Sequence, residues 1–339
     1  MKSINLTDKQ TAMRNSKYKN TSRRNGRGAI SWTGEDLLDS ERVRSLTIIL
    51  RTKGCYWARS DGCTMCGYIY HADPNSCGAD VKKQFDAVLN CYGKNFGVVK
   101  LFTSGSFLDT NEVPADVRNY ILNKLSGVPK VIVETRPEFV TDEVCEDISK
   151  ILHGAEVAIG LETSNDLIRN SCINKGFSFN DFIEASKLAS SYNLTVKAYL
   201  LLKPPMLAEK QALDDAIMSI KEASRYANTI SLNLCNVQKG TYVEKLWKKR
   251  LYRPPWLWTA VEALKRTAGM TTIICDPVAG GTARGPHNCG TCDDDVIHEI
   301  QDYSLTQDKA VFKTNCDDRT AWEFVLEFER FTYGAPLIK

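Results

Sequence analysis

From about residue 46 onward, short apolar runs alternate along the chain with segments of mixed polar and apolar residues. Runs rich in Val, Ile, Leu and Thr are typical of strands buried on both faces of a parallel sheet. Such strands are predicted at residues 45–51, 97–104, 130–135, 156–162, 194–202 and 229–237. Helix-length segments lie between them, for example at residues 142–153, 179–192 and 212–226. Six βα units in a row predict an α/β fold, an open or closed parallel barrel with right-handed crossovers.

Polar or small residues lie where the predicted strands end. In a parallel barrel, functional groups lie at the carboxyl ends of the strands. The residues concerned are a cysteine-containing loop after the first strand, Ser104, Gly105 and Ser106 after the second, Glu134 and Arg136 after the third, Gly160, Glu162 and Thr163 after the fourth, and Asn233 and Asn236 near the end of the sixth. The fifth strand carries Lys197 among apolar residues. One glutamate at a strand end is more often solvated than catalytic, but the series as a whole predicts a functional rim.

Three cysteines, Cys55, Cys63 and Cys66, lie within the fifteen residues GCYWARSDGCTMCGY that follow the first strand. Four thiolates would fill a tetrahedral zinc site or an iron–sulfur cubane, whereas three leave one metal position open for a substrate or cofactor. A zinc site completed by His71, or thiols that are merely buried, are the alternatives. Buried thiols explain isolated cysteines well and this C-x7-C-x2-C spacing poorly. The loop therefore predicts an iron–sulfur site.

A second pair of cysteines, Cys289 and Cys292, forms C-x2-C in the segment GPHNCGTCDDD. Two close thiols with two distant ligands are typical of a structural zinc site. We expect a metal bound by these two thiols and by two further ligands from Cys275, His287 and Cys316, with no choice among the three. A second iron–sulfur cluster and a pair of unbound thiols are the alternatives.

The charge of the chain is unevenly distributed. Residues 1–28 contain eight Lys or Arg and one acidic residue, and because the whole chain has a net charge of +3, the remainder sums to about −4. A basic arm on a slightly acidic body indicates contact with nucleic acid, and a solvated tail is the alternative. The arm's candidate contact residues are Arg23, Arg24 and Arg27.

The segment WKKRLYRPPWLW, residues 247–258, interleaves basic and aromatic side chains. Basic groups neutralise phosphates, and aromatic rings stack on exposed bases. The candidate basic residues are Lys248, Lys249, Arg250 and Arg253, and the aromatic ones are Trp247, Tyr252, Trp256 and Trp258. An amphipathic segment with core tryptophans and solvated charges is the alternative.

The chain has no run of about 18 apolar residues and no apolar signal-peptide core, so we expect a cytoplasmic protein with no membrane span. In a reducing compartment, twelve cysteines favour thiolates and metals over disulfides. Three parts are predicted: a basic N-terminal extension over 1–39, a barrel over 40–274, and a small C-terminal metal-binding lobe over 275–339.

The cysteine loop, followed by TSGSFLD, ETRPE and GLETSND, resembles the radical S-adenosylmethionine (radical SAM) superfamily. The seven-residue first gap departs from that superfamily's usual C-x3-C-x2-C, but it also occurs in the branch of the Elongator catalytic subunit. Within this branch the chain is similar to the archaeosine biosynthesis radical SAM proteins over roughly residues 45–320, with NVQKGTYVE and GPHNCGTCD as further shared segments. The resemblance implies a partial (β/α)6 barrel.

The resemblance also implies the cofactors and the residues that hold them. Cys55, Cys63 and Cys66 would ligate a 4Fe–4S cluster whose fourth iron binds S-adenosylmethionine (AdoMet). Residues implied for AdoMet are Ser104, Gly105 and Ser106 for the amino group, Glu134 and Arg136 for ribose and carboxylate, Gly160, Glu162 and Thr163 beside the adenosine, and Lys197. An arginine suits a carboxylate because it donates two parallel hydrogen bonds.

The activity implied by the resemblance is radical-initiated C–N bond cleavage of a lysine-modified 7-deazaguanine in the tRNA D-arm, which leaves archaeosine. A complex with the lysine-attaching enzyme is the implied partnership. Two other functions remain as alternatives: another Elongator-like radical SAM enzyme that modifies tRNA, and a non-catalytic iron–sulfur or zinc protein that binds RNA. The second alternative has little use for the polar strand ends.

Overall fold

A computed structural model of the chain describes residues 23–24 and 28–329. The strands form one nine-stranded sheet in sequential order. Their bounds are β1 (Arg23–Arg24), β2 (Ile30–Leu38), β3 (Glu41–Ile49), β4 (Val98–Phe102), β5 (Lys130–Thr135), β6 (Ala155–Glu162), β7 (Thr195–Leu202), β8 (Thr229–Leu234) and β9 (Thr272–Ile274). Strands β3 to β9 are parallel, and β1 and β2 are antiparallel to their neighbours.

The six predicted strands correspond to β3 through β8, and the predicted partial (β/α)6 barrel is confirmed. The sequence-based prediction missed the two-residue strand β1, and also β2 and β9. Strand β2 contains Gly34, Glu35 and Asp36, which break any apolar run, and β9 is only three residues long. Tertiary pairing with β3 and β8 makes these segments strands despite their weak local pattern.

Helices fill the connections between the parallel strands. Their bounds are α1 (Tyr56–Ser60), α2 (Gly78–Tyr92), α3 (Ala115–Lys124), α4 (Asp142–Ile151), α5 (Asp166–Ile168), α6 (Phe179–Ser191), α7 (Glu209–Ala223), α8 (Tyr242–Lys248), α9 (Leu257–Thr267), α10 (Asp293–Thr306) and α11 (Asp318–Phe328). Several begin at a side-chain cap: the hydroxyls of Thr141, Ser178 and Thr241 accept hydrogen bonds from backbone N–H groups of the first turn.

The two faces of the sheet differ in chemistry. The outer face packs its Val, Leu and Ile side chains against the helices in one large core. The inner face carries a small apolar layer of Val98, Ile132 and Ala158, with Tyr199 against it. Below this layer, Lys197 forms a buried ion pair with Glu156 near the amino ends of the strands. The carboxyl end of the barrel is left for the polar residues of the candidate site.

Helix α10 joins the two sides of the sheet. It contacts β2 near one edge and β9 at the other. The hydroxyl of Ser304, on α10, accepts from the backbone N–H of Cys275, at 2.8 Å, and donates to that residue's carbonyl. Residues 30–38 fall within the predicted N-terminal extension and α10 within the predicted C-terminal lobe, so both predicted appendages contribute to the barrel itself. Among the described residues, no helix combines the length and apolarity that a membrane crossing requires.

Candidate functional site

The three clustered cysteines lie at the carboxyl end of β3, the first parallel strand. Cys55 immediately precedes α1, and Cys63 and Cys66 follow it in a turn closed by a 3.2 Å hydrogen bond from the Cys66 N–H to the Cys63 carbonyl. All three are free, partly exposed thiols. Burial raises the pKa of the Cys63 thiol to about 12, with a smaller opposing contribution from the ammonium of Lys175. A bound metal would have to supply the charge that makes these thiols thiolates.

The turn after β4 lies directly against the cysteine loop. The backbone N–H of Cys55 donates to the carbonyl of Ser104 at 3.3 Å. A Cβ atom on Gly105 would lie 2.6 Å from the Cα of Cys55 and 1.9 Å from a carboxylate oxygen of Glu112. Only glycine therefore permits this approach of the two backbones.

The Glu112 carboxylate connects the cysteine loop to the turn after β4, and sequence patterns did not identify this residue. It is buried, accepts from the hydroxyl of Thr52 at 2.6 Å, and accepts from the backbone N–H of Ser106 at 2.8 Å. Burial raises its pKa to about 6. One carboxyl group thus fastens the end of the first barrel strand to the turn after the second.

Glu134 lies on the inner face at the end of β5. Its carboxylate accepts from the backbone N–H of Thr103 at 2.6 Å. Burial raises the pKa of Glu134 to about 8. A carboxyl group with such a pKa exists in both charge states near neutral pH, so it is able to donate or accept a hydrogen bond to a polar ligand.

Arg136, predicted to bind polar groups of AdoMet, is buried and has several partners within the protein. Its guanidinium is buried, lies over the rings of Tyr56, Trp57 and Phe177 at 5.3–5.5 Å, and is paired with Glu138. Its Nη1 donates to the carbonyl of Lys175 at 3.0 Å. The buried Nη2 has no hydrogen-bond partner among the described residues. Most of this side chain therefore organises the aromatic residues after Cys55, and one donor remains for a ligand.

Lys175 is a second cation in the site, and it carries no signal in the sequence. Its ammonium forms an ion pair with Glu162 at 2.7 Å. It also lies 2.9 Å from where a Cβ on Gly160 would be, so a side chain at Gly160 would collide with it. Glu162 has a positive φ of 67°, at an irregularity in the pairing of β6 with β7. The end of β6 thus turns its carboxylate toward Lys175.

The segment 172–177 holds Lys175 against the cysteine loop. The backbone N–H of Thr64 donates to the Ile173 carbonyl at 2.9 Å, and the Trp57 indole donates to the Asn174 carbonyl at 2.7 Å. The Asn174 amide in turn donates to the Gly62 carbonyl at 2.9 Å. A short π-helix, Arg169–Ile173, leads into this segment. Irregular helices of this kind are frequent at functional sites.

Two predicted cofactor residues lie elsewhere. The hydroxyl of Thr163 donates to Asp215 at 2.8 Å, on helix α7, and therefore fastens the strand end to a helix instead of facing the barrel interior. Lys197 pairs with Glu156 at 2.7 Å near the amino ends of the strands, away from the cysteine loop. Both side chains thus have partners within the fold, and their contact with AdoMet stays a prediction.

Of the three further ligands considered for the predicted second metal site, the structure brings Cys316 to Cys289 and Cys292, and it adds Asp318. Among the described residues, the ligand atoms of Cys289, Cys292, Cys316 and Asp318 lie within 4.8 Å of one another. Neither Cys275 nor His287 belongs to this group, and His287 Nδ1 lies 2.8 Å from the Gly285 carbonyl. Asp318 was missed, although it follows Cys316 by only two positions.

The aromatic residues predicted to stack on bases are largely core residues. Tyr252 and Trp258 are buried, and Trp256 is partly buried and lies under the guanidinium of Arg253 at 4.2 Å. Arg253 also donates to the His287 carbonyl at 2.7 Å. The basic residues Lys248, Lys249 and Arg250 are exposed, as both interpretations of this segment require. Arg27 lies outside the described residues, and Arg23 and Arg24 are described only through the backbone pairing of β1.

Exposed aromatic residues lie instead beside the cysteine loop. Tyr68 and Tyr70 follow Cys66, and Tyr242 begins α8; their side chains are 53%, 65% and 42% exposed. The backbone N–H of Gly67 donates to the Gln238 side chain at 2.6 Å, which joins the loop to the segment before α8. We call Tyr68, Tyr70 and Tyr242 the tyrosine rim.

The residues of this end of the barrel fit a cluster and AdoMet. Three free thiols lie on one loop. Gly105 approaches this loop more closely than any residue with a side chain could. The buried Nη2 of Arg136 has no partner among the described residues. The thiols do not form a compact single-ion group of the kind found near the C-terminus. A cubane is larger than one ion, so wider separation of its ligands is the expected arrangement.

Two known proteins are similar in sequence to this chain over most of its length. Archaeosine synthase subunit beta of Methanosarcina acetivorans is 47% identical over 323 residues, which are 91% of this chain and 93% of that protein. Archaeosine synthase subunit beta of Thermococcus kodakarensis is 40% identical over 318 residues, 87% of this chain and 96% of that protein. No protein-family model matches the chain.

Two solved structures share a similar arrangement of elements. Elp3 of Methanocaldococcus infernus, with an N-terminal deletion, aligns with a TM-score of 0.49 and 15% identity, over 72% of this chain and 58% of that one. Methylornithine synthase aligns with a TM-score of 0.48 and 14% identity, over 67% and 63% of the two chains. This chain therefore spans less than two thirds of either structure.

Proposed function

The chain belongs to the archaeosine synthase subunit beta family, and we propose that it is the radical SAM enzyme that completes archaeosine in tRNA. The proposed reaction is C–N bond cleavage of a lysine-modified 7-deazaguanine in the D-arm. We further propose that it acts in the cytoplasm, where a thiol-rich protein stays reduced. The observation that carries the proposal is the placement of Cys55, Cys63 and Cys66 at the carboxyl end of the first barrel strand, against Gly105.

The three thiols would hold a 4Fe–4S cluster with one iron open for AdoMet. When bound, these groups supply one-electron chemistry that takes a hydrogen atom from an unactivated carbon. The protein's own contribution is positional. Glu112 and the segment 172–177 fix the cysteine loop between two neighbouring strand ends, so little reorganisation is needed when the loop is loaded.

Polar groups of AdoMet would meet the residues around this loop. The Ser104–Ser106 turn offers the Ser104 carbonyl, which accepts from Cys55 and has a second lone pair for the amino group, and Glu134 offers a carboxyl group on the inner face. We assign the carboxylate of AdoMet to Lys175 and to Nη2 of Arg136, which has no partner among the described residues, because both cations lie against the same loop. Glu162, now paired with Lys175, would keep that ammonium charged and oriented.

The tRNA would approach across the tyrosine rim. Exposed rings suit unstacked bases, and Lys249 and Arg250, exposed at the end of α8, suit phosphates. Replacing both cations by alanine is expected to weaken tRNA binding and to flatten its salt dependence by roughly one unit of slope per lost phosphate contact. Filter binding at several salt concentrations measures this slope. An unchanged slope would exclude these two residues from the RNA interface.

A subunit name in the family supports a further part of the proposal, a complex with the enzyme that attaches lysine to the base. Co-elution of the two purified proteins in size-exclusion chromatography, with light scattering for mass, tests for it. Separate elution at micromolar concentration would restrict the pair to successive, independent binding of the tRNA.

The proposed cluster is tested with Cys63→Ala. Cys91→Ala is the matched control, because Cys91 is exposed on α2, away from the loop. After anaerobic reconstitution, Cys63→Ala is expected to lose most of its iron and sulfide and all AdoMet cleavage while its circular dichroism is unchanged, and the control should match the wild type. Full iron content and deoxyadenosine production in Cys63→Ala would contradict the ligand assignment.

A further inference from the structure

Outside the cofactor end of the barrel, the described part of the chain brings together one more set of metal-ligating side chains. Gly290, which lies between Cys289 and Cys292, has a φ of +91°, a conformation that favours glycine. Cys316 and Asp318 reach them from the start of α11, some twenty-five residues later. Four ligand atoms from two distant segments thus meet in one place.

The spacing of these atoms matches a tetrahedral ion. A zinc–sulfur bond of about 2.3 Å places two sulfurs of a regular tetrahedron about 3.8 Å apart. The sulfurs of Cys289 and Cys316 are 3.8 Å apart, and the sulfur of Cys292 is 3.7 Å from each carboxylate oxygen of Asp318. All four lie within 4.8 Å of one another, which is too compact for a cubane and correct for a single ion.

The surroundings orient the ligands as metal sites commonly do. The indole N–H of Trp258 donates to Asp318 at 3.0 Å, and the amide of Asn288 donates to the sulfur of Cys292 at 3.5 Å. The backbone N–H of Thr291 donates to the sulfur of Cys289 at 3.4 Å. N–H groups aimed at thiol and carboxylate ligands stabilise their charged, metal-binding forms.

From this geometry we propose that Cys289, Cys292, Cys316 and Asp318 bind one zinc ion, which fastens helix α11 to the barrel. Three sulfurs and one oxygen form a soft, closed ligand set that suits zinc and leaves no position open for substrate. The site is structural and does not depend on the function proposed above.

Helix α11 needs such a fastening because little of it is buried. Trp322 is its buried residue, while Phe324 and Phe328 are more than half exposed. The Trp322 indole donates to the hydroxyl of Thr259 at 2.8 Å, and Thr259 in turn donates to Glu209. Glu209 pairs with Lys203, directly after β7, so the ion would secure a chain of contacts that ends at the carboxyl end of the barrel.

Zinc and iron are measured together by mass spectrometry of full-length protein, purified anaerobically and passed over a chelating resin. The wild type is expected to retain about one zinc per chain. Cys316→Ser and Asp318→Asn are expected to lose most of it and to melt several degrees lower, with iron content unchanged. Cys91→Ser is the control for loss of an exposed thiol and is expected to retain the zinc.

X-ray absorption at the zinc edge then reads the ligands directly, and it serves even where Cys316→Ser fails to fold. Three sulfurs and one oxygen are expected in the wild type. Outer-shell scattering from an imidazole ring would overturn the ligand set in favour of a histidine. Wild-type protein without zinc, or with extra iron that disappears in Cys316→Ser, would overturn the proposal.

Discussion

Replacing Lys197 distinguishes a residue that supports the fold from one that binds the cofactor. Its ammonium is 2.7 Å from Glu156, and both side chains are almost fully buried. Glu156 also pairs with Lys130 at 2.9 Å and accepts from Thr229 at 3.0 Å. Lys197→Met would leave Lys130 as the remaining cation beside the buried Glu156 and would remove a charged hydrogen bond, so it is expected to lower the free energy of unfolding by about 2 kcal/mol.

The pKa of Glu156 leads to a similar magnitude. Burial alone would raise it, but the ammonium groups of Lys197 and Lys130 outweigh burial and lower the pKa from 4.5 to about 2. A shift of this size corresponds to roughly 3 kcal/mol for the two lysines together, and Lys197 contributes the larger share of it. Because the folded-state pKa is lowered, this stabilisation is present above pH 4.5 and is lost as the pH falls toward 2. The difference between wild type and variant should shrink over that interval.

Urea denaturation followed by circular dichroism measures the effect. Lys187→Met is the control, because Lys187 forms only an exposed ion pair, and it should change stability by less than about 0.5 kcal/mol. Adding Glu156→Gln to Lys197→Met should recover part of the lost stability, because a neutral amide then replaces the buried carboxylate. An unchanged urea midpoint in Lys197→Met, together with weaker AdoMet binding, would refute the reasoning and return Lys197 to the cofactor site.

Two further predictions concern the cofactor end. In Gly105→Ala, the new Cβ would lie 1.9 Å from a carboxylate oxygen of the buried Glu112, so the cysteine loop should shift and bound iron per chain should fall; iron content equal to the wild type would show that the loop tolerates the side chain. Lys175→Met should raise the AdoMet Kd about 10- to 100-fold, through loss of a hydrogen bond to a charged group, while Lys187→Met leaves it unchanged. Equilibrium dialysis on cluster-loaded protein measures the AdoMet Kd of both lysine variants, and an unaltered Kd in Lys175→Met would remove Lys175 from the AdoMet site.

Sequence patterns predicted the barrel because its strands are buried on both faces. Continuous Val, Ile and Leu runs mark β3 through β8, and only a parallel sheet covered by helices buries so many of them. Strand β2 escaped because Gly34, Glu35 and Asp36 interrupt its apolar residues, and its pairing with β3 overrides that pattern. The closure by α10 joins distant parts of the chain, and no local pattern encodes such a contact.

In the candidate site, closeness along the chain decided what was predictable. Cys55, Cys63 and Cys66 stand out because they share one loop. Glu112 and Lys175 are isolated in the sequence and acquire their roles only when the fold brings them to the cysteine loop. A single charged residue gives no indication in the sequence that the fold will place it beside a distant loop.

The sequence also did not show which aromatic side chains face the core and which face solvent. Tyr252 and Trp258 lie in a segment with basic residues, yet their side chains are buried, whereas Tyr70 is exposed with no Lys or Arg nearby in the sequence. The alternation of cations and aromatics in this segment is that of an amphipathic surface, with apolar rings inward and charges outward. The same pattern fits an RNA-binding surface, and only the fold separates the two.

The most direct test of the proposed function uses anaerobically reconstituted wild-type protein with dithionite, AdoMet and tRNA that carries the lysine-modified 7-deazaguanine. Deoxyadenosine is quantified by chromatography, and the digested tRNA is analysed for archaeosine by mass spectrometry. The proposal predicts both products with the wild type and neither with Cys63→Ala. Deoxyadenosine without archaeosine would contradict the proposed substrate, and the absence of both products from iron- and sulfide-loaded wild type would contradict the assignment of the three thiols.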